Sequence, residues 1–373
     1  MSKTIRTILC LTLAVNAAFI LTIPISGIDT QDIRRYSENR NEEYSTDKTD
    51  YAVVSNNENA TNGDENSEKN EKKSEEKTKS YIKYIDFTPN AAAMSDCANI
   101  DIKTYGKEKH FSWIELLAYL GQKYGGDFKK YKKSDLDAVT EKAENTAISD
   151  LATNKKLYEY YVKAYGAVLG GFLGEYTEEN ESGASEKKYG VCVYSPIAAG
   201  YSYGHCDDFG RARSFGYRRV HLGHDLMGSL GTPVIATESG YVEALGWNPY
   251  GGWRIGIRSF DNKRYYYYAH LRSGHPYADI CEGQIVHAGE VIGYMGRTGY
   301  STKEDKNNIK TVHLHWGLEI IFDPSQKDGV NQIWTDMYEI TVFLAKYRSK
   351  VTYDANSKNM KAITVKVPSS CPD

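Results

Sequence analysis

Three textures follow one another along the chain. Lys3 and Arg6 precede a predominantly apolar run from Ile8 to Ile25, close to the roughly 20 apolar residues that span a bilayer. With a positive flank on its short side, residues 1–28 read as an uncleaved signal-anchor. A cleaved signal peptide is the rival, because Val15-Asn16-Ala17 resembles a small-residue cleavage site. Either reading exports residues 30–373, to the outer face of the cell membrane as a single-pass protein or, after cleavage, to the cell wall. From Asn56 to Ser80 no large apolar residue occurs, so the segment cannot offset the entropy of ordering. Residues 29–80 therefore read as a disordered acidic linker, a tether if the anchor is retained.

Beyond the linker the pattern takes a helical period. Phe111, Ile114, Leu116, Leu117 and Leu120 recur at helical spacing ahead of Gly121, and Leu157, Tyr160, Tyr161, Ala164 and Tyr165 do so ahead of Gly166. Residues 109–178 are expected to be helical and 81–184 to form a small helical module. It holds no catalytic cluster, and His110 stands alone there. A structural role is expected, with binding to a wall polymer or a protein partner as the alternative. From about Lys188 the texture changes to short β-branched and aromatic runs such as Pro233–Ala236, Arg254–Phe260, Arg264–Leu271 and Val291–Tyr294. Asp261-Asn262-Lys263 between two of them is a hairpin turn. The expected fold class is α+β, with a mainly antiparallel β-sheet domain over 185–345 and a C-terminal tail over 346–373.

Composition narrows the choice of function. At 373 residues the chain is long enough for two folded units. Its 46 Lys plus Arg against 49 Asp plus Glu leave a net charge of −3, with 14 acids and 9 bases in residues 29–80. No basic stripe marks a nucleic-acid binder. Outside the apolar run lie Cys97, Cys192, Cys206, Cys281 and Cys371, with no Cys-x-x-Cys pair, so a thiolate zinc site is disfavoured. Cys192 with Cys206 is the preferred disulfide if one forms, and unpaired thiols are the alternative. Asn59-Ala60-Thr61 and Asn180-Glu181-Ser182 match the glycosylation sequon, which matters only in a eukaryotic secretory context. The glycines from Gly289 to Gly299 are not followed by Gly-Lys-Ser/Thr, which excludes a phosphate loop.

The histidines carry the chemistry. Five of nine fall in three short contexts: His221-Leu-Gly-His224-Asp225, Tyr268-Ala-His270-Leu271 and His313-Leu-His315-Trp316. His313 and His315 are two apart in an apolar run, so on a strand both imidazoles project from one face. His221 and Asp225 are four apart around Gly223, and either an extended segment or a glycine-assisted bend turns both toward one ion. Zinc accepts imidazole nitrogen and carboxylate oxygen, and a catalytic site needs three protein ligands and an open position. Two histidines and one aspartate supply three, leaving imidazoles over for proton transfer. Each fragment alone also suits a surface or a satisfied sheet.

Taken together these fragments resemble a family. His221-Leu-Gly-His-Asp225 is followed by Gly231-Thr-Pro-Val234, Gly240-Tyr-Val242 and Tyr268-Ala-His-Leu271. Then come Gly283-Gln-Ile-Val286, Ala288-Gly289, Ile292-Gly293, Thr298-Gly299, Ser301-Thr302 and His313-Leu-His315. In this order, over about residues 215–325, the chain resembles the lysostaphin-type, LytM-like zinc metallopeptidases. The resemblance implies His221, Asp225 and His315 as zinc ligands, His270 and His313 as catalytic histidines, and a groove across the sheet. The implied substrate is the peptide of bacterial peptidoglycan, hydrolysed by water that zinc activates, lowering its pKa toward about 7 while polarising the carbonyl. His313 is the expected base, with His270 stabilising the oxyanion or orienting that base. Some family members have lost ligands and act as scaffolds, so a wall-bound, partner-binding protein is the rival reading.

Two departures stand out. Lys303 to Val312, ten residues, intervene before the His-x-His strand where the family has a short link, and this loop is expected to border the groove. His224 stands where the family commonly has an apolar residue and is expected to point away from the metal. Tyr217 is a candidate donor to the reaction intermediate, and Arg218 and Arg219 suit either a surface role or contact with acidic wall peptides. Trp247, Tyr250, Trp253 and Trp316 are candidates to line a peptide or glycan track, with sheet packing as the alternative. His275 and His287 are expected in exposed loops.

Overall fold

The computed structural model describes residues 82–180, 182–213, 219–327 and 331–372, all within one unit spanning Val53–Asp373. The expected membrane segment, the linker and the Asn59 sequon lie outside the described residues, as do Glu181 of the second sequon, Tyr217 and Arg218. Among the described residues no helix is long and apolar enough to cross a membrane.

The helical pattern yields α1 (Ala91–Thr104), α2 (Trp113–Tyr124), α3 (Lys133–Ala143), α4 (Ile148–Leu151) and α5 (Lys155–Leu169). Asn90 and Asn154 cap α1 and α5, their side-chain oxygens accepting from Ala93 N at 2.9 Å and Leu157 N at 3.0 Å. The two glycines that looked like helix stops lie inside the helices. Gly121 is a packing residue: a Cβ there would meet the Tyr165 hydroxyl at 2.9 Å and the Tyr161 ring at 3.0 Å. The chain turns out of α2 at Gly125, whose φ of 62° suits glycine. His110 is bonded to Asp101 at 2.8 Å.

Helix gives way to strand before residue 178. β1 (Leu173–Asn180) and β2 (Ser185–Val191) form an antiparallel hairpin, so position 184 falls in its turn. The tail is built into the fold. Its last strand, Thr364–Pro368, pairs antiparallel with β1, and Val351–Asp354 pairs with Asn359–Ala362.

The remaining strands are β3 (Ala212–Arg213), β4 (Arg219–Val220), β5 (His224–Met227), β6 (Pro233–Ile235), β7 (Gly240–Asn248), β8 (Gly252–Ser259), β9 (Arg264–Ala269), β10 (Ile285–Val286), β11 (Val291–Tyr294), β12 (His313–Ile320) and β13 (Ile333–Thr335). The main sheet runs β10-β7-β8-β9-β12-β13, with β5 also on β12, and every pairing is antiparallel. The expected hairpin at Asp261-Asn262-Lys263 joins β8 to β9, with Asn262 at φ 60°.

Alternation along two strands defines the faces. On β12, Leu314, Trp316, Leu318 and Ile320 are fully buried, as are Tyr266 and Tyr268 on β9, and they share one apolar core with α2 and α5. Trp316 is therefore core packing and not a groove residue. The opposite parity of β12 carries His313, His315, Gly317 and Glu319. Arg264 joins helices to sheet, bonding Glu238 through two nitrogens at 2.8 and 2.9 Å and the Ala167 carbonyl at 3.0 Å. Such a bidentate buried pair holds its geometry tightly.

The preferred Cys192–Cys206 disulfide is absent. Cys192 is buried with its thiol on the Gly171 carbonyl at 3.2 Å, Cys206 is exposed, and both are free. Burial pushes the Cys192 thiol up to about 12, which keeps it protonated and inert.

Candidate metal centre and groove

Strand pairing brings the distant fragments together. β12 places His315 opposite Asp225 of β5 on one side and opposite Ala269 of β9 on the other. His221 arrives from the bend between β4 and β5. That bend needs Gly223, because a Cβ there would meet His315 Cε1 at 2.6 Å and Nε2 at 2.7 Å. The glycine-assisted bend, not an extended segment, turns His221 and Asp225 to one point.

Three donor atoms form a nearly equilateral triangle. His221 Nε2 lies 3.0 Å from Asp225 Oδ1 and 2.9 Å from His315 Nδ1, which is 3.0 Å from the same oxygen. Tetrahedral zinc with bonds of about 2.0–2.1 Å spaces its ligands about 3.3 Å apart, so the donor set fits with shifts of a few tenths of an ångström. The tautomer of His221 sharpens the point. Its Nδ1 faces the Asp208 carbonyl at 3.1 Å and the Asp208 carboxylate at 3.2 Å. Both are acceptors, so Nδ1 carries the proton. In the neutral ring Nε2 is then a lone pair beside a carboxylate oxygen, and only a proton or a metal cation relieves that clash.

The electrostatics follow the same logic. Burial disfavours charge on His221, but the hydrogen bonds to Asp208 and Asp225 outweigh it and raise its pKa to about 9. Burial likewise opposes ionisation of Asp225, and the bonds to His221 and His315 outweigh it, holding the carboxyl well below the usual carboxylate range. His315 is lowered, burial exceeding the pull of Asp225. Arg213 donates to Asp208 Oδ2 at 2.7 Å and Asp225 Oδ2 at 3.2 Å, leaving Asp225 Oδ1 as the oxygen that faces the histidines.

His313 and His270 stand beside this triangle with ring centroids 4.7 Å apart. His313 Nδ1 donates to the Thr311 carbonyl at 2.9 Å and its Nε2 lies 3.8 Å from Asp225 Oδ1. His270 Nδ1 donates to the Thr298 carbonyl at 2.9 Å, and burial holds its pKa well below the ordinary value. Strand alternation from Tyr266 and Tyr268 would send His270 into the core. Its backbone instead adopts φ 61°, a left-handed conformation rare outside glycine, which turns the ring to the site face.

A cleft of about 240 Å³ opens over these residues, lined by Arg213, Arg219, Val220, Leu222, Tyr250, Gly251, Tyr300, Gln332 and Trp334 together with the five site residues. Of the aromatic candidates Tyr250 lines it, while Trp247 and Trp253 pack edge to face against one another. The 303–312 loop does not line the cleft. Asp305 accepts from Trp253 Nε1 at 2.8 Å and Gly274 N at 2.9 Å, which folds the loop against the start of β8 and the segment after β9. His224 is buried away from the triangle, 2.9 Å from His205 Nδ1, and burial lowers its pKa to about 4. His275 is exposed but holds Asn359 at 2.8 Å, whereas His287 is only half-exposed. Sequence reasoning missed Asp208, Arg213, Tyr300, Gln332 and Trp334. Position just before the long loop was a signal for Tyr300, but nothing in local spacing marks the others.

The sequence and the fold both have counterparts among known proteins. Residues 219–331 match the model of Peptidase family M23. Over 137 residues, 35% of this chain and 40% of the relative, the chain is 44% identical to the L-Ala--D-Glu endopeptidase of Bacillus subtilis (strain 168). It is 39% identical over 98 residues to lysostaphin of Staphylococcus staphylolyticus, covering 26% of this chain and 18% of that protein. The chain thus spans 40% or less of the length of these two relatives. A solved structure from Ruminococcus gnavus, named for a lytM-type glycyl-glycine endopeptidase, superposes with a TM-score of 0.50 at 20% identity, over 72% of this chain and 94% of that one. It shares the fold.

Proposed function

We propose that this chain, whose residues 219–331 form a domain of peptidase family M23, is an exported zinc-dependent endopeptidase that cuts peptide bonds in bacterial peptidoglycan. The names of its relatives, an L-Ala--D-Glu endopeptidase and lysostaphin, support the substrate class. One observation carries the reading: His221 Nε2, His315 Nδ1 and Asp225 Oδ1 meet within 3.0 Å while the other His221 nitrogen is committed to Asp208. The zinc ion these residues would hold supplies a Lewis acid that makes water nucleophilic near neutral pH.

The surrounding residues take the remaining tasks. His313, its Nδ1 proton fixed on Thr311, presents a bare Nε2 toward the triangle, where it accepts a proton from the attacking water and returns it to the leaving amine. His270 is held in the same tautomer and, kept neutral by burial, presents an acceptor. Of the two expected roles, stabilising an oxyanion would require its protonated form and orienting the base would set two bare nitrogens together, so in their place His270 orients the water. Export rests on the N-terminal apolar run, read as a membrane anchor or, alternatively, as a cleaved signal.

The test uses purified sacculi and the full chain, with and without a chelator. Soluble fragments carrying new amino termini are expected, lost on chelation and restored by zinc. Binding to sacculi without release, in the presence of zinc, would refute the reading and favour a wall-bound scaffold.

A further inference from the structure

The His221–Asp225 segment holds one histidine to which the peptidase reading gives no task. His224 is fully buried on β5, and its two ring nitrogens face different partners. Nε2 lies 2.9 Å from His205 Nδ1. Nδ1 lies 3.9 Å from Asp208 Oδ1, longer than a hydrogen bond, yet neither of these buried atoms is hydrogen-bonded to anything else. The Tyr338 ring packs against both imidazoles, with centroids at 5.2 Å from His205 and 5.8 Å from His224, and limits their rotation.

Proton direction follows from these contacts. Were His224 Nδ1 bare, two buried lone pairs would face one another with no proton between them, and neither would recover the cost of leaving water. Nδ1 therefore carries the proton. In the neutral ring Nε2 is then an acceptor, so the proton between the two histidines belongs to His205 Nδ1. Both protons point toward Asp208. That carboxylate thus faces His224 through Oδ1, while Oδ2 accepts from Arg213 at 2.7 Å and faces His221 Nδ1 at 3.2 Å. A carboxylate engaged through both oxygens is hindered from rotating, and this one sets the tautomer of His221.

We propose that His224, its proton directed inward by His205, is a positioning residue that locks the Asp208 carboxylate and so keeps His221 Nε2 presented as a metal donor. The inference rests on the metal-binding part of the peptidase reading and extends it to His205 and His224.

Proton–nitrogen correlation spectra of the imidazoles in the zinc-supplied full chain read the tautomer without any substitution. The Nδ1–H form is expected for His224, and the Nε2–H form would overturn the proposal. Two substitutions then separate its contacts, because Asn places an amide nitrogen near the Nδ1 position and Gln places one near Nε2. His224→Asn should keep zinc affinity, measured by competition with a chromophoric chelator, close to that of the unaltered chain. His224→Gln should weaken it about 3–10-fold, less than the loss of a ligand's direct partner, and should speed exchange of the His221 Nδ1 proton with solvent. Equal losses in the two variants would reduce His224 to packing and overturn the proposal, as would no loss in His224→Gln. Where a variant fails to fold, the tautomer in the unaltered chain decides. A chain that binds no zinc would sink the peptidase reading separately, and the His224 tautomer and His221 proton exchange in the metal-free chain then decide by the same outcomes.

Discussion

Asp101 and Asp225 are both buried against histidine, and they differ in one respect. Asp101 in α1 accepts from His110 at 2.8 Å, Tyr189 at 2.7 Å and the Trp113 amide at 2.8 Å. Its neighbours bring protons, so the cluster is complete and holds α1 against α2 and β2. Asp225 meets two imidazoles packed on one oxygen, and the proton of His221 is committed to Asp208. That cluster is one positive charge short. A buried His–Asp contact is therefore no sign of a site by itself, and the direction of each proton decides.

The contrast breaks most visibly by truncation. His221→Ala should abolish bound zinc and wall-lytic activity together while the fold persists, read by metal analysis and circular dichroism. Asp101→Ala should do the reverse, leaving zinc and turnover intact but lowering stability by about 1–3 kcal/mol, because the buried Trp113 amide loses its acceptor along with the half-buried Tyr189 hydroxyl and the exposed His110. Loss of zinc in the Asp101 variant would show that the two clusters are not independent.

A smaller effect sharpens the role of Asp208. Asp208→Ala removes the carboxylate that holds the His221 proton, and metal affinity should fall about 10–100-fold, measured by competition with a chromophoric chelator. Unchanged affinity would mean that the Asp208 carbonyl alone fixes the tautomer.

The last expected effect concerns pH in the metal-free protein. His221 titrates near 9 in the fold against 6.5 ordinarily, so its proton stabilises the metal-free form. That contribution is fully present below pH 6.5 and is lost as pH rises through 9, by up to about 3 kcal/mol. Thermal midpoints of the stripped protein should drop across that window, and saturating zinc should flatten the slope. A stripped protein with no drop would sink the account of the missing charge.

The parts of this site that the sequence displays are those governed by short-range periodicity. His313 and His315 share a face because strand side chains alternate, and Gly223 between His221 and Asp225 marks a bend because only glycine clears the His315 ring. The helices were legible for the same reason, although Gly121 was misread as a stop. A glycine in a helix signals either an end or a close neighbour, and only the presence of Tyr161 and Tyr165 across the helix pair distinguishes them.

By itself, then, the sequence determined which side chains have donor chemistry, their local parity and the order of helical and sheet textures, all properties of a few neighbouring residues. The tertiary structure decided the rest. It supplied Asp208 as the partner that orients His221, turned His270 out of the core through a left-handed backbone, buried Trp316 and brought Tyr300 and Tyr250 around Arg219. Each of these depends on contacts between residues far apart in the chain, where register and backbone sign are set by packing and leave no trace in local spacing.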